Sequence, residues 1–252
     1  MAGVHSRARS FDAAAPAYER GRPGWPAEAV EISARRLGLD RGAAVLDLAA
    51  GTGKLTRQLA GRFASVTAVE PLDGMRAVLV AQVPAARALA GTAEALPLED
   101  ASVDAVFVAE AFHWFEPVRA VAEMARVLRP AGGVAVLYNR LASQDQDEPW
   151  RVEADAVLGR HRLPPDDVDP QDETPWRTAL ATLGPVHDDS VENVHGLDAA
   201  GLEAMFSSFS GLAGLPTGSR DAALAEIRAV LLRHDVRTAE LTFRTEITTA
   251  RR

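Results

Sequence analysis

Two glycines and one acid have the spacing of an adenosine-binding site. Gly51 and Gly53 follow an apolar run from Ala44 to Ala50, and Glu70 lies nineteen positions after Gly51. A Gly-x-Gly turn at the end of a strand lets backbone N–H groups approach a ligand closely, and an acid about 20 residues further on can bind a ribose. The pattern therefore predicts a site for an adenosine-containing cofactor.

The residues around the turn narrow the choice of cofactor. A dinucleotide site requires a third glycine where this chain has Thr56. A triphosphate loop requires a glycine at the position of Leu48 and a Ser or Thr at the position of Leu55. We therefore expect an adenosine ligand without a phosphate chain, for which S-adenosylmethionine is the common case. A tight strand-to-helix turn in any α/β protein would explain the glycines alone.

Further segments extend this pattern along the first half of the chain. They are Val45–Thr56, Val66–Pro71, Gly91–Leu98 and Arg126–Gly133. In order and spacing, the segments resemble the class I S-adenosylmethionine-dependent methyltransferases. Ala49 and Ala50 replace a Gly-Cys pair often seen in that family, and alanine is small enough for close approach. The resemblance implies S-adenosylmethionine as cofactor and methyl transfer as the reaction.

The resemblance also implies roles for single residues. Gly51 and Gly53 admit the methionine portion and the adenosine, and Glu70 accepts hydrogen bonds from both ribose hydroxyls. Asp47 orients the loop or holds the amino group through water, or instead caps a helix. The predicted cofactor-binding residues are Asp47, Ala49, Gly51, Gly53, Glu70, Pro71, Met75, Ala93, Glu94, Tyr18 and Arg22. In this set Met75 and Ala93 flank the adenine.

Two predicted cofactor residues have alternatives that stay open. Glu94 would lie near the adenine edge or be a solvated loop residue. The segment from Tyr18 to Pro26 resembles one in enzymes similar to trans-aconitate methyltransferase, where it folds over the cofactor. Tyr18 and Arg22 would then bind the cofactor carboxylate or an acidic substrate, or be ordinary surface groups. The prolines and glycines of Ser10–Trp25 predict a mobile lid that cofactor or substrate orders.

One histidine among aromatic residues is the candidate catalytic group. His113 follows the predicted fourth strand, where an imidazole could remove a proton from the methyl acceptor. It could instead shape an aromatic wall, and a carboxylate acceptor would need no base. The sulfonium already activates the methyl group, so alignment should dominate catalysis. The predicted substrate residues, with plain core packing as the alternative, are Phe112, Trp114, Phe115 and Tyr138.

Composition excludes several partners and chemistries. The net charge is −8, and no run of Lys or Arg forms the basic stripe that nucleic-acid binding requires. There is no cysteine, which excludes disulfides, thiolate metal sites and cysteine nucleophiles. No segment has the pattern of a signal peptide or membrane span. We expect a cytoplasmic protein that acts on a small molecule, with no metal, nucleic-acid or membrane partner; the oligomeric state stays open.

Alternating apolar runs and helical patterns predict an α/β fold with a Rossmann-like, doubly wound, mostly parallel sheet. The predicted strands are Ala44–Ala49, Ser65–Val69, Arg87–Ala90, Val103–Ala109, Gly133–Tyr138 and Glu240–Thr248. The predicted helices are Ala27–Leu39, Leu55–Phe63, Leu72–Val83, Val118–Leu128, Ala199–Phe209 and Arg220–Arg233. By the resemblance, the last strand is antiparallel and the later helices form a substrate lid.

We expect one methyltransferase domain over residues 1–252. It divides into a helical cap (1–40), a cofactor-binding core (41–140), and a substrate lid with closing strands (141–252). The segment Pro164–Pro175 contains four prolines and five acids, which predicts an exposed connector.

The sequence thus predicts methyl transfer from S-adenosylmethionine to a small-molecule acceptor by direct in-line displacement. A noncatalytic S-adenosylmethionine-binding protein would carry the same cofactor motifs. An NAD(P)-dependent oxidoreductase fits less well, since the third glycine and a Tyr-x-x-x-Lys pair are missing.

Overall fold

Seven strands form one sheet that has helices on both faces. The computed structural model describes residues 5, 7–142, 147–161, 163 and 172–252. Across the sheet, in the order β3-β2-β1-β4-β5-β7-β6, the strands are β1 (Ala44–Leu48), β2 (Ser65–Val69), β3 (Arg87–Leu89), β4 (Val103–Ala109), β5 (Leu128–Leu141), β6 (Val186–Asp198) and β7 (Thr238–Arg251). The first five strands are parallel to one another. This arrangement confirms the predicted Rossmann-like fold.

The helices connect the parallel strands and build the C-terminal lid. They are α1 (Phe11–Gly21), α2 (Ala27–Leu37), α3 (Lys54–Arg62), α4 (Asp73–Gln82), α5 (Pro117–Val127), α6 (Pro149–His161), α7 (Thr174–Leu180), α8 (Ala199–Ser207), α9 (Ser210–Ala213) and α10 (Thr217–Arg233). Short 3-10 helices span Ala8–Ser10 and Phe112–Trp114. Helix α2 ends two residues before the predicted end because Gly38 adopts the left-handed conformation, with φ 68°.

Strand β1 is buried on both faces of the sheet. Leu46 and Leu48 pack toward α5 and α7, whereas Val45 packs toward α2 and α3. Successive side chains of a strand point to opposite faces, so a strand covered on both sides reads as one apolar run. This alternation also places Asp47 on the α3 side of the sheet.

The last two strands form a long antiparallel hairpin at one end of the sheet. Strand β7 pairs with β5 on one side and with β6 on the other. It extends beyond the predicted strand Glu240–Thr248 at both ends. The sequence pattern did not predict strand β6, because exposed residues alternate with half-buried ones along nearly its whole length. Its strand conformation comes from pairing with β7 rather than from an apolar face.

A third group of buried side chains joins the lid helices α6, α8, α9 and α10. It includes Trp150, Phe206 and Ile227. Helices α8 and α10 match the two helices predicted in this region. Residues 164–171 of the predicted connector lie outside the described residues, and Thr174 already begins α7. The division into cap, core and lid stays a prediction.

Helix α1 lies between the lid and the glycine turn. The Oε2 atom of Glu19 accepts a hydrogen bond from Thr52 at 2.6 Å, and its carbonyl accepts one from Lys54 at 2.7 Å. At the other end of α1, Gly21 packs against Met205 of α8, so closely that a Cβ on Gly21 would overlap the Met205 backbone nitrogen. Most of the predicted mobile lid is thus helical, and its mobility stays a prediction.

The part of the chain that the structure describes lacks two kinds of feature. No helix there is long and apolar enough to cross a membrane. No group of three or more His, Cys, Asp or Glu in the same part could hold a metal ion. The cytoplasmic location stays a prediction.

We predict that Gly21→Ala loosens α1 from the lid. The added methyl group forces the backbones of α1 and α8 apart, at a cost of about 1–3 kcal/mol in the free energy of unfolding. Hydrogen exchange should show faster exchange in residues 11–21. Gly24→Ala is the matched control, because a Cβ on Gly24 meets no atom within 4 Å. Equal exchange in the two variants would contradict the prediction.

Candidate functional site

A cavity opens where the parallel strands end, as expected for a doubly wound sheet. The cavity and the solvent at its mouth together occupy about 760 Å³. Its wall includes Ala49 and Gly51 after β1, Glu70 after β2, and Glu110 after β4. We call it the first cavity. Chain segments far apart in sequence thus meet at a single edge of the sheet.

The turn after β1 uses left-handed backbone conformations. The φ angles are 55° at Ala49, 58° at Gly51 and 87° at Gly53. A Cβ on Gly51 would meet no atom within 4 Å, so the backbone here is open to a ligand. A Cβ on Gly53 would lie 3.1 Å from Cγ of Leu79 in α4. Gly53 is not among the described residues that line the first cavity; its role here is close packing between turn and helix.

Glu70 ties the glycine turn to the beginning of α4. Its carboxylate accepts hydrogen bonds from the N–H groups of Gly51 at 2.8 Å and Leu72 at 2.9 Å. Burial raises the pKa of Glu70 to about 7, against the lowering effect of these hydrogen bonds. A ligand with ribose hydroxyls would meet this carboxylate at the cavity wall.

Asp47 lies behind the turn rather than in the cavity wall. Its Oδ2 atom accepts a hydrogen bond from the Thr56 hydroxyl in α3 at 2.6 Å, and its buried Oδ1 atom has no hydrogen-bond partner in the structure. Burial raises the pKa of Asp47 to about 7. This contact favours the predicted loop-orienting role, because the carboxyl group faces α3.

The predicted adenine-binding residues lie together. Met75, Ala93, Glu94 and Pro71 all line the first cavity. Met75 and Ala93 are each 3% exposed and form an apolar part of the wall. The Glu94 carboxylate accepts a hydrogen bond from the Glu116 N–H at 3.0 Å, which holds it near the start of α5. The adenine-binding roles stay a prediction.

The predicted substrate residues divide into two groups. Trp114 and Phe115 line the first cavity. Phe112 is fully buried and stacks on Trp176, with ring centroids 5.4 Å apart. Tyr138 belongs to the same core cluster. Neither Phe112 nor Tyr138 is among the described residues of the cavity wall, because strand alternation and the 3-10 helix turn both rings into the core.

His113 lies beside Tyr138. Its Nδ1 atom is 3.2 Å from the Tyr138 hydroxyl, and its ring centroid is 4.6 Å from that of Trp114. His113 is not among the described residues that line the first cavity, whereas its neighbour Trp114 is. In this arrangement His113 is placed to position the aromatic wall.

Tyr18 and Arg22, the two N-terminal residues that the sequence predicts to bind the cofactor, differ in the cavities that they line. Tyr18 lines the first cavity and also a second one beside it, whereas Arg22 lines only the second. The Arg22 guanidinium donates from Nε to the Ser208 hydroxyl at 2.8 Å and from Nη2 to the Ser208 carbonyl at 3.2 Å. Arg22 also lies over the ring of Phe209, at 4.5 Å from its centroid.

Sequence reasoning missed Glu110 as a site residue. It adopts φ 53°, an uncommon conformation for a residue other than glycine, and lines both cavities. Its Oε1 atom accepts a hydrogen bond from the Asn139 N–H at 2.6 Å, and burial raises its pKa. An acid directly after an apolar strand was the available signal.

The charge of the first cavity suits a cationic ligand. Glu70, Glu94 and Glu110 line it, while its described lining contains no Lys or Arg. S-adenosylmethionine carries a positive sulfonium and an ammonium group, which acids attract. A pyrophosphate would be repelled. The residues present therefore fit S-adenosylmethionine better than a dinucleotide.

Comparison with known proteins agrees with this geometry. A family model described as a methyltransferase domain matches residues 46–136. An uncharacterised methyltransferase of Mycobacterium tuberculosis is 48% identical over 155 residues, which are 60% of this chain and 59% of that protein. A malonyl-[acyl-carrier protein] O-methyltransferase of Methylococcus capsulatus is 43% identical over 99 residues, which are 37% of this chain and 36% of that protein. The chain thus spans about three fifths of the length of the Mycobacterium relative.

A solved structure extends the similarity across the fold. A protein described as a type II methyltransferase from Anaeromyxobacter dehalogenans superposes with a TM-score of 0.65 at 25% sequence identity. The match covers 91% of this chain and 97% of that one. The similarity therefore includes the lid region that lies beyond the matched methyltransferase domain.

We predict that Glu70 makes cofactor binding depend on pH. With its pKa raised to about 7, Glu70 is mostly protonated at pH 6 in the free protein, whereas the ribose hydroxyls and the positive charge favour the carboxylate. Affinity for S-adenosylmethionine should therefore be about tenfold lower at pH 6 than at pH 8, because binding releases this proton. Calorimetry across this range is the measurement.

Glu70→Gln is the variant that isolates this effect. Titrating groups of the ligand affect the wild-type protein and the variant equally. Any difference between the two in the pH dependence of affinity therefore comes from Glu70. Asp47→Asn serves as the control, since the Asp47 pKa is also raised to about 7. An unchanged pH dependence in Glu70→Gln would contradict the assignment.

Proposed function

We propose that the chain is a class I S-adenosylmethionine-dependent methyltransferase and that it methylates a small-molecule acceptor by direct in-line displacement. The observation that carries the proposal is the acidic first cavity at the carboxyl ends of β1, β2 and β4. The net charge of −8 argues against a nucleic-acid acceptor. The Methylococcus relative, by its name, methylates the malonyl group of a carrier protein.

Alignment is the main task of the protein in this reaction. S-adenosylmethionine supplies a methyl group that its sulfonium already activates. In the displacement that this group would supply, the acceptor atom would gain the bond to the methyl carbon, and sulfur would keep the electron pair of the broken carbon–sulfur bond. Glu70 would hold the ribose, and the aromatic residues Trp114 and Phe115 would line the space around the methyl group. Tyr18 and Phe11 of α1 shield this space from water.

A second cavity next to the first favours an enzyme over a noncatalytic binding protein. Together with the solvent at its mouth it occupies about 710 Å³, and it shares Tyr18 and Glu110 with the first cavity. A protein that only bound the cofactor would need no such space for an acceptor. The acidic lining of the first cavity disfavours the NAD(P)-dependent alternative, because a pyrophosphate would lie near three carboxyl groups.

We predict that the protein binds S-adenosylhomocysteine and S-adenosylmethionine but not NAD. Isothermal titration calorimetry with the three ligands is the test. Glu70→Ala should lower the affinity for both sulfur ligands by about 1.5–3 kcal/mol, since a charge-assisted contact to the ribose is lost. Tight binding of NAD, without binding of either sulfur ligand, would overturn the proposed function.

We predict that His113→Ala lowers the single-turnover rate only a few fold under saturating substrates. The reason is its position beside Tyr138 and outside the described lining of the first cavity. A general base would instead contribute about 10²–10⁴-fold to the rate. A loss of that size with unchanged cofactor affinity, together with a basic limb in the wild-type pH profile, would establish His113 as the base. Tyr138→Phe is the companion variant, since it removes the hydroxyl that His113 contacts.

A further inference from the structure

The second cavity differs from the first in its charge. Arg22, Lys54 and Arg151 line it, and Glu110 is the one acid among its described lining residues. The first cavity has the opposite character, with three acids and no Lys or Arg in its described lining. Two adjoining cavities of opposite charge suit two ligands of opposite charge.

The cations of the second cavity are only partly neutralised. The hydrogen bonds of Arg22 go to the uncharged Ser208. Arg151 bonds through Nε to both carboxylate oxygens of Asp155 at 3.1 Å, and its two terminal nitrogens make no hydrogen bond to any described residue. Burial lowers the pKa of Arg22; Tyr18 and Glu110 act in the opposite direction, and repulsion from Arg151 adds a smaller lowering. An anion between the two guanidinium groups would relieve this repulsion.

Lys54 adds a third positive charge to the cavity. It is the one lysine of the chain. Its Nζ atom donates to the Glu19 carbonyl at 2.7 Å and lies 3.9 Å from the Glu19 carboxylate, which Arg57 also contacts. Glu19 therefore divides its charge between two cations and neutralises neither completely.

Most of the remaining wall of the second cavity is apolar, and Tyr18 and Asn139 are its other polar residues. Trp25, Met205, Phe209 and Phe243 line it. A small inorganic anion would leave this surface in contact with water. An organic anion with an apolar body would bury it and would place its charged end at the arginines.

We propose that the second cavity binds the methyl acceptor and that the acceptor is an amphipathic organic anion held by Arg22 and Arg151. The proposal rests on the proposed function, because it requires a methyl donor in the first cavity. Tyr18 and Glu110 form the boundary between the two cavities, so an acceptor in the second cavity extends toward the first.

The same chemistry has a second possible source. The methionine carboxylate of the cofactor is also an organic anion, and it could reach the arginines from the first cavity. The experiment must therefore measure acceptor-type anions and cofactor separately. Hexanoate and hexanamide are suitable probes, because they have similar size and apolar length and differ in charge.

The test is to titrate each probe into the full-length protein, with and without saturating S-adenosylhomocysteine. Ligand-observed NMR measures the binding. Hexanoate should bind the wild-type protein about tenfold or more tightly than hexanamide. Arg151→Gln should remove this preference, and Arg151→Lys should restore part of it. The affinity for S-adenosylhomocysteine should change less than about twofold in both variants.

Asp155→Asn is the matched control. It breaks the same Arg151–Asp155 pair but leaves the cation, so it should keep the preference for hexanoate. Loss of the preference in Asp155→Asn as well would indicate a structural role for Arg151 and overturn the proposal. Equal binding of the two probes, or binding of neither, would also overturn it.

Two further outcomes separate the proposal from its alternatives. If Arg22→Gln and Arg151→Gln weaken S-adenosylhomocysteine tenfold and leave hexanoate unchanged, the arginines bind the cofactor carboxylate and the proposal is wrong. If hexanoate is preferred but S-adenosylhomocysteine does not bind the wild-type protein, the cavity is an anion site. The proposed function then fails, and with it the role of this cavity as an acceptor site.

Discussion

The hydrogen bonds from Gly51 and Leu72 to the Glu70 carboxylate hold the cofactor edge of the sheet together. They join the turn after β1 to the beginning of α4 across the end of β2. The turn is also joined to the end of β2 by the Ala50 N–H, which donates to the Val69 carbonyl at 3.2 Å. The carboxylate that would bind the ribose therefore also shapes the first cavity, and its burial is the reason that its pKa lies near 7.

The charges of the two cavities follow from the elements that build them. The acids of the first cavity follow strand ends or the loop after β3, where side chains converge at the sheet edge. The cations of the second cavity come from three places: Arg22 after α1, Lys54 at the start of α3, and Arg151 in α6. The region predicted as the lid therefore contributes Arg151 to the second cavity and no acid to the first. Under the proposed roles of the two cavities, variation in this region would change the acceptor while the cofactor site stays intact.

The parts of the fold that the sequence predicted are those with a strong local pattern. Strand β1, the glycine turn and Glu70 follow from apolar runs and fixed spacing, which a buried parallel sheet imposes. Strand β6 could not be predicted, because its pairing with β7 fixes it and neither of its faces is a continuous apolar surface. The second cavity has no spacing signal at all, since its wall runs from Tyr18 to Phe243. His113 is a catalytic candidate because an imidazole can accept a proton. Only the structure shows that its ring contacts Tyr138 and Trp114.

Tyr18 lies in the wall of both cavities, so a ligand in either cavity would contact the same side chain. The helix that carries it is fastened to the glycine turn through Glu19 and to the lid through Gly21. Any displacement of α1 that widens one cavity therefore moves a wall of the other. Under the proposed roles of the two cavities, a shift of α1 on binding or release of one ligand would change the space left for the other, so that occupation of the two cavities would be coupled.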